Sequence, residues 1–294
     1  MKFTASLAMV LLAAATTGAQ AADTLAKIAA TGKITLAYRE SSVPFSYLAG
    51  GDKPIGFSVE LSNAVADAVK KKLDKPNLEV ALMPVTSQNR IPLITNGTVD
   101  LECGSTTNNP ARAKDVTFAV NHFYTGTRLL VKKSSKIKNY ADLAKKTVAS
   151  TTGTTNALVM RKYNTEKNLD IDLVLGKDHA DAFLLVESDR AVAFAMDDIL
   201  LFGLMANAKN PADFEVVGDA LQVEPYACML AKDDPAFKKL VDDTFIGLMK
   251  SGEFEKMYTK WFMQPVPPKG LNLDFPLSED MKALFKTPND KALD

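Results

Sequence analysis

The chain has 294 residues, 47% of them hydrophobic and 24% charged, with 15 Gly and 14 Pro. This composition suits about two folded domains and excludes a disordered or collagen-like chain. Thirty-five Lys and Arg balance 35 Asp and Glu, so there is no basic surplus of the kind that drives binding to phosphate backbones or anionic membranes, and no nucleic-acid partner is expected.

In chain order, Lys2, the apolar run at 7–15 and the small-x-small sequence Ala19-Gln20-Ala21 read as a cleavable export signal over 1–21. Its removal takes away one Lys and no acid, and leaves one net negative charge and no apolar stretch long enough to span a bilayer. Ala22-Asp23-Thr24 follows the signal, with no Cys to carry a lipid. The expected product diffuses freely in a periplasm, without stable membrane insertion.

From Ile34 onward, short β-rich runs alternate with helical periodicity, which predicts an α/β fold with mainly parallel sheets. Strands are expected at 34–38, 78–83, 99–103, 127–131, 147–149, 171–174, 191–196, 214–217 and 226–230. Leu61, Ala64, Val65, Ala68 and Val69 recur at three-and-four spacing and predict one buried helical stripe, with Lys70, Lys71 and Lys72 at its solvated end. Helices are also expected at 156–163 and at 235–250, the latter opened by Pro235 and closed by Gly252, followed by a short one through Trp261. The apolar runs at 127–131 and 226–230 bracket about 100 residues with their own strand and helix series, as in an inserted domain. One lobe is therefore expected at 22–123 plus 226–294 and a second at 124–225, with two strands crossing between them and permitting a hinge. The Pro-rich tail after Gln264 is expected to wrap the surface.

Cys103 and Cys228 are the only cysteines. In an oxidising compartment they either join or sit apart as small buried side chains, and the residues alone leave both readings open. No C-x-x-C or H-E-x-x-H spacing is present, and no metal or other cofactor is expected.

The segments after the predicted strands, where open α/β sheets bind ligands, are polar. They carry Arg39-Glu40-Ser41-Ser42, then Ser87-Gln88-Asn89-Arg90, then Gly104-Ser105-Thr106-Thr107 with Arg112 nearby. The central block adds Thr151-Thr152-Gly153-Thr154-Thr155, Asp178-His179 and Asp197-Asp198. Each alone is explained by helix capping, turns or solvated arginines; six at equivalent fold positions point to a binding cleft. Arg39, Arg90 and Arg112 give three positive charges, Asp197 gives one negative, and His179 is a candidate further cation. That balance fits an anionic ligand with one cationic group. Guanidinium forks match carboxylates, and three in one cleft imply two separate carboxylates, the pattern of an acidic amino acid. The Thr-Gly-Thr-Thr run ahead of a helix also offers backbone N–H groups to an anion.

The strings GFSVELSNAV at 56–65, TSQNRIPLITNGTVDLECGSTTNNPAR at 86–112, TTGTT at 151–155, KDHAD at 177–181 and AVAFAMDD at 191–198 resemble periplasmic solute-binding proteins of amino-acid ABC transporters. SQNR, CGSTTNN and KDH resemble the dicarboxylate branch of that family in particular. The resemblance covers nearly the whole chain after the signal. It implies a two-lobed type II binding protein that closes on glutamate or aspartate and delivers it, as a monomer, to an inner-membrane ABC permease. It further implies that Arg112, helped by Thr107 and Thr155, pairs with the α-carboxylate, and that Asp197 and Ser105 receive the α-ammonium. The side-chain carboxylate would be held by Arg39, Ser87, Arg90 and His179. Family topology also sets the strand near Cys103 beside the one near Cys228, which makes a disulfide geometrically possible.

Two other functions compete: an exported enzyme of this fold acting on a cyclic dicarboxylate, and a binding protein that reports to a chemoreceptor or sensor kinase. Against the enzyme, the sequence has no G-x-S-x-G, no metal set and no carboxylate pair with a clear acid/base division. His122 reads as a packed or hinge histidine, Asp198 as a helix N-cap, Asn96-Gly97-Thr98, which fits a glycosylation sequon, as a helix stop and turn, and Tyr258, Trp261 and Phe262 as core.

Overall fold

The computed structural model describes residues 23–292; the export signal read at 1–21 lies outside them. The β-rich runs join into one nine-stranded sheet: β1 (Lys33–Tyr38), β2 (Glu79–Pro84), β3 (Leu101–Glu102), β4 (Val116–Lys132), β5 (Thr147–Thr151), β6 (Asp172–Gly176), β7 (Ala193–Asp197), β8 (Phe214–Val217) and β9 (Val223–Ala231). Their order is β2-β1-β3-β9-β4-β7-β5-β6, with β8 also paired to β4. β1 runs parallel to β2 and β3, and β5 parallel to β6 and β7, whereas β4 and β9 are antiparallel to every strand they touch.

β4 joins the two halves of the sheet. Val116 to Gly126 pairs with β9, and Thr127 to Lys132 pairs with β7 and β8. The sequence pattern starts this strand at residue 127 because Thr117, Asn121, His122 and Thr125 interrupt the apolar run before it. All four nevertheless lie within the strand, and Asn121, His122 and Thr125 are buried. β9 likewise begins three residues earlier than its apolar run, which brings Glu224 into the strand.

Helices α1 (Thr24–Thr31), α2 (Phe57–Leu73), α3 (Arg90–Thr95), α7 (Pro235–Ser251), α8 (Glu253–Phe262) and α9 (Glu279–Lys286) accompany the first half of the sheet. α4 (Thr155–Lys167), α5 (His179–Glu187) and α6 (Asp198–Asn207) accompany the second. α2 buries Leu61, Val65, Ala66 and Val69, and Lys70, Lys71 and Lys72 complement the negative end of its dipole. α7 starts where Asp234 accepts from the Phe237 amide and Pro235, with no N–H, needs no acceptor, and it stops at Gly252, which takes the left-handed conformation at φ 80°.

Phe123 of β4 contacts the rings of Phe45 and Phe262, each with centroids 4.9 Å apart, and Tyr226 of β9 meets Phe45 at 5.3 Å. Tyr258, Trp261 and Phe262 are buried, so α8 contributes core. Cys103, directly after β3, is disulfide-bonded to Cys228 on β9, which closes a loop of 125 residues in sequence. The tail forms a short antiparallel pair, Pro265–Val266 with Leu271–Asn272, then α9. Its end returns to β4: the Asn289 carbonyl accepts from the Asn121 amide at 2.9 Å, and the Lys291 carbonyl from Asn121 Nδ2 at 2.9 Å. Asn121 lies where the β4–β9 register shifts, so the tail satisfies a backbone donor that the irregular ladder leaves free.

Candidate ligand-binding site

The nine residues singled out in the sequence all stand at or just beyond element ends. Arg39 follows β1, Ser87 follows β2, Arg90 opens α3, and Ser105 and Thr107 follow β3. Arg112 opens a single 3-10 turn, Thr155 opens α4, His179 opens α5 and Asp197 closes β7. Arg39, Arg90, His179 and Asp197 are each no more than 2% exposed, while Arg112 and Thr155 are half-buried. Charged side chains so buried need partners, and the partners divide the site into two ends.

At the basic end, Arg39 Nη2 donates to Asp178 Oδ1 at 2.7 Å and to His179 Nε2 at 3.2 Å. A guanidinium only donates, so Nε2 accepts, and the ring proton sits on Nδ1, 2.9 Å from Thr151 Oγ1. His179 is therefore a neutral acceptor and not the further cation considered from sequence; burial, then the Arg39 charge, holds it down at about 3. Burial would raise the Asp178 carboxyl, but Arg39, His179 and the Ser41 hydroxyl outweigh it and hold it at about 2. Arg90 Nη1 donates to the Ser105 carbonyl at 3.1 Å and to Thr106 Oγ1 at 2.6 Å, and Thr106 passes its own hydrogen to Glu102 Oε2 at 2.7 Å. Burial, then the like charge of Arg112, pushes Arg90 down to about 9. Arg39 Nε and Nη1, Arg90 Nε and Ser87 Oγ are buried without a hydrogen-bond partner.

At the other end, Asp197 Oδ1 accepts from Asn156 Nδ2 at 2.7 Å and Oδ2 from the Tyr226 hydroxyl. Burial, then the neighbouring Glu224 carboxylate, raises Asp197 well above the ordinary range. Glu224, fully buried, accepts from Thr107 Oγ1 and Thr155 Oγ1, both at 2.5 Å, and from Gln222 Nε2 at 2.7 Å. Thr107, Thr155 and Glu224 also line a cavity of about 260 Å³, which Arg39, Arg90, Arg112, His179 and Asp197 do not line. Arg112 is anchored by the Thr107 carbonyl at 2.9 Å and, across the cleft, the Gly153 carbonyl at 3.3 Å. Asp197, not Asp198, occupies the N-cap position of α6; Asp198 is the first helical residue, and its carboxylate accepts from Thr125 Oγ1 at 2.6 Å.

The two halves of the sheet meet across this cleft. A side chain at Gly153, where φ is 78°, would strike the Gln88 backbone at 2.7 Å, and one at Gly203 on α6 would meet the Val43 carbonyl oxygen at 2.3 Å. Ser41 Oγ donates to Asp178 Oδ2 at 2.8 Å. Ser105 Oγ bonds Ser42 Oγ at 3.2 Å and not Asp197, and Ser87 is bonded to none of the other eight. The charge count from sequence omits Asp178, Glu102 and Glu224, which partly balance the three arginines. Glu102 ends the short strand β3 between Leu101 and Cys103, and an acidic residue flanked by apolar ones is the signal that could have found it. Tyr226 and Asn156 carry no such signal. Among the described residues, no group of three His, Cys, Asp or Glu is placed to hold a metal, and no helix is long and apolar enough to cross a membrane.

A sheet of two parallel halves joined by antiparallel strands, with a charged cleft at the strand ends between them, defines a two-lobed type II solute-binding architecture. The chain belongs to the bacterial extracellular solute-binding proteins, family 3, whose model matches residues 34–264. It is 54% identical to a glutamate/aspartate import solute-binding protein of Escherichia coli, over 99% of this chain and 97% of that one. To an L-glutamate/L-aspartate-binding protein of Pseudomonas aeruginosa it is 51% identical, over 96% and 94%. Among solved structures, a mutant of ArgBP from T. maritima superposes with a TM-score of 0.72 at 26% identity, covering 81% of this chain and 99% of that one.

Proposed function

We propose that this protein captures glutamate or aspartate in the periplasm and presents it to the permease of an ABC transporter, without chemical conversion. One observation carries the reading: Arg39, Arg90 and Ser87 follow neighbouring strands of one half of the sheet, are buried, and carry N–H and hydroxyl groups that no protein atom satisfies. Buried guanidinium hydrogens call for an acceptor, and a side-chain carboxylate supplies two oxygens at once. Arg112 and the first-turn amides of α4 then suit the α-carboxylate, and Asp197 with Ser105 the α-ammonium. The lobes that close are 22–123 with 226–294, and 124–225; the protein works as a monomer after loss of residues 1–21. The kinship with glutamate/aspartate import and binding proteins supports the ligand and the transport role.

Calorimetric titration with glutamate, aspartate and glutamine tests this. The acidic ligands should bind, and glutamine should bind about thirtyfold to several thousandfold more weakly, since a desolvated charged contact is worth roughly 2 to 5 kcal/mol. Equal affinity for glutamate and glutamine would overturn the dicarboxylate pocket, and an altered ligand recovered after incubation would overturn simple capture. Scattering should show a smaller radius of gyration with saturating glutamate than without it.

A further inference from the structure

We propose that Glu224 is the positioning residue that makes the site demand an ammonium group, because it fixes the hydroxyls of Thr107 and Thr155 as hydrogen-bond acceptors. The proposal rests on the capture of an amino acid argued above and adds to it a determinant of selectivity on the crossing strand.

Glu224 Oε2 takes a hydrogen bond from Thr107, in the first half, and another from Thr155, in the second, each at 2.5 Å. Gln222 Nε2, which can only donate, occupies Oε1 at 2.7 Å, and Thr127 Oγ1 approaches it at 3.4 Å. A threonine hydroxyl has one hydrogen and a carboxylate has none. Once both hydrogens point at Glu224, the two Oγ atoms, 3.2 Å apart, have none left to share between them. They face each other as oxygens with free lone pairs, an arrangement that a third group rich in N–H relieves and a further oxygen aggravates.

The same bias extends to Asp197. Asn156 Nδ2 gives one hydrogen to Asp197 Oδ1 at 2.7 Å and one to Thr127 Oγ1 at 2.8 Å. Thr127 is thereby left to donate toward Glu224. Amide, hydroxyls and Tyr226 thus all donate toward the two carboxylates, and the oxygens of this end are committed as acceptors. An α-ammonium has three donors for such a place; the keto or hydroxy analogue, or an acid with plain CH₂ there, has none to match. The hydroxyls of Thr107 and Thr155 therefore serve the ammonium, and the α-carboxylate is left to Arg112 and the α4 backbone.

The test compares L-glutamate with glutarate, the same dicarboxylate chain without the ammonium, with glutarate measured by displacement of labelled glutamate. Titrations use the wild type, Glu224→Gln, Thr155→Val and Thr155→Ser, each checked for folding by thermal melting. Glu224→Gln should weaken glutamate by about tenfold or more and glutarate far less, so the ratio between them falls by about the same factor. Thr155→Val should also lower the ratio, while Thr155→Ser, which keeps the hydroxyl, should preserve it. Equal weakening of both ligands by Glu224→Gln would show a mere structural tie between the halves and overturn the proposal. If Glu224→Gln does not fold, the Thr155 pair decides: an unchanged ratio in Thr155→Val overturns it. A folded wild type that binds neither glutamate nor aspartate would instead overturn the capture of acidic amino acids, and this inference with it.

Discussion

The two ends of the cleft are built on opposite plans. Around Arg39 and Arg90 the protein supplies too few acceptors: Asp178, His179 and the Ser105 carbonyl take some of the guanidinium hydrogens, and Arg39 Nε, Arg39 Nη1 and Arg90 Nε keep theirs. Around Asp197 and Glu224 it supplies donors to every carboxylate oxygen. A buried end left short of acceptors selects an anion by its own deficit. A buried end whose acidic groups are already supplied is instead a frame, and it selects by what its outer oxygens can still accept.

The largest effect should come from the residue assigned to the α-carboxylate, which all three ligands share. Arg112→Ala should weaken glutamate, aspartate and glutamine alike by more than about a hundredfold, since removing one partner of a buried charge pair costs roughly 3 to 5 kcal/mol. An unchanged dissociation constant in calorimetry would refute its role. Next, Arg90→Ala should separate the ends: glutamate falls by roughly 2 to 5 kcal/mol and glutamine hardly changes, so the gap between the two closes. Because this variant also removes a positive charge that acts on buried Glu102, its melting temperature should be followed beside the titrations.

The disulfide ties the loop after β3 to the strand that carries Glu224 and Tyr226, so it holds both ends to one frame. Replacing both cysteines, Cys103→Ser with Cys228→Ser, should lower stability in urea by about 2 to 5 kcal/mol. It should also weaken glutamate and glutamine by similar factors. A selective loss of one ligand would contradict the shared frame.

The smallest effect concerns protons at the basic end. His179 is held at about 3 and His122, buried against β4 neighbours, at about 4, both below the ordinary 6.5. The fold therefore favours the neutral rings, and the unfolded chain binds the protons first as pH falls. This contribution to stability is complete above pH 6.5 and is lost as pH falls toward the folded values. His179→Gln should reduce the slope of unfolding free energy between about pH 6 and 4 by up to about 1.4 kcal/mol per unit, one proton's worth. An unaltered slope would mean that His179 is not neutral in the fold.

Much of this was legible in the residues. Apolar runs such as 34–38 and 214–217 became strands because few polar residues broke them, and the polar segments after them became the cleft because strand ends leave backbone groups for ligands. The arginines could be picked out because they sit in the polar segments after predicted strands, where three guanidinium groups at equivalent positions need a common reason. Glu224 could not, since its apolar run begins only after Pro225, and a Pro beside an acidic residue reads as a turn. Nor could the neutral state of His179, which depends on Arg39, 140 residues away, approaching its Nε2. The disulfide stood between two readings because the adjacency of β3 and β9 belongs to the tertiary fold.

Both tethered ends of the described chain leave from one half of the sheet. The Thr24 amide is held by Asp234 Oδ2 at 2.7 Å, and the Asp290 carbonyl by Asn108 Nδ2 at 2.8 Å. Fluorescent labels placed beside Thr24 and Lys291 would therefore ride on a single body and keep a constant separation as the cleft opens. An optical reporter of ligand needs one of its labels on the other half, for instance at exposed Leu158 or Leu184.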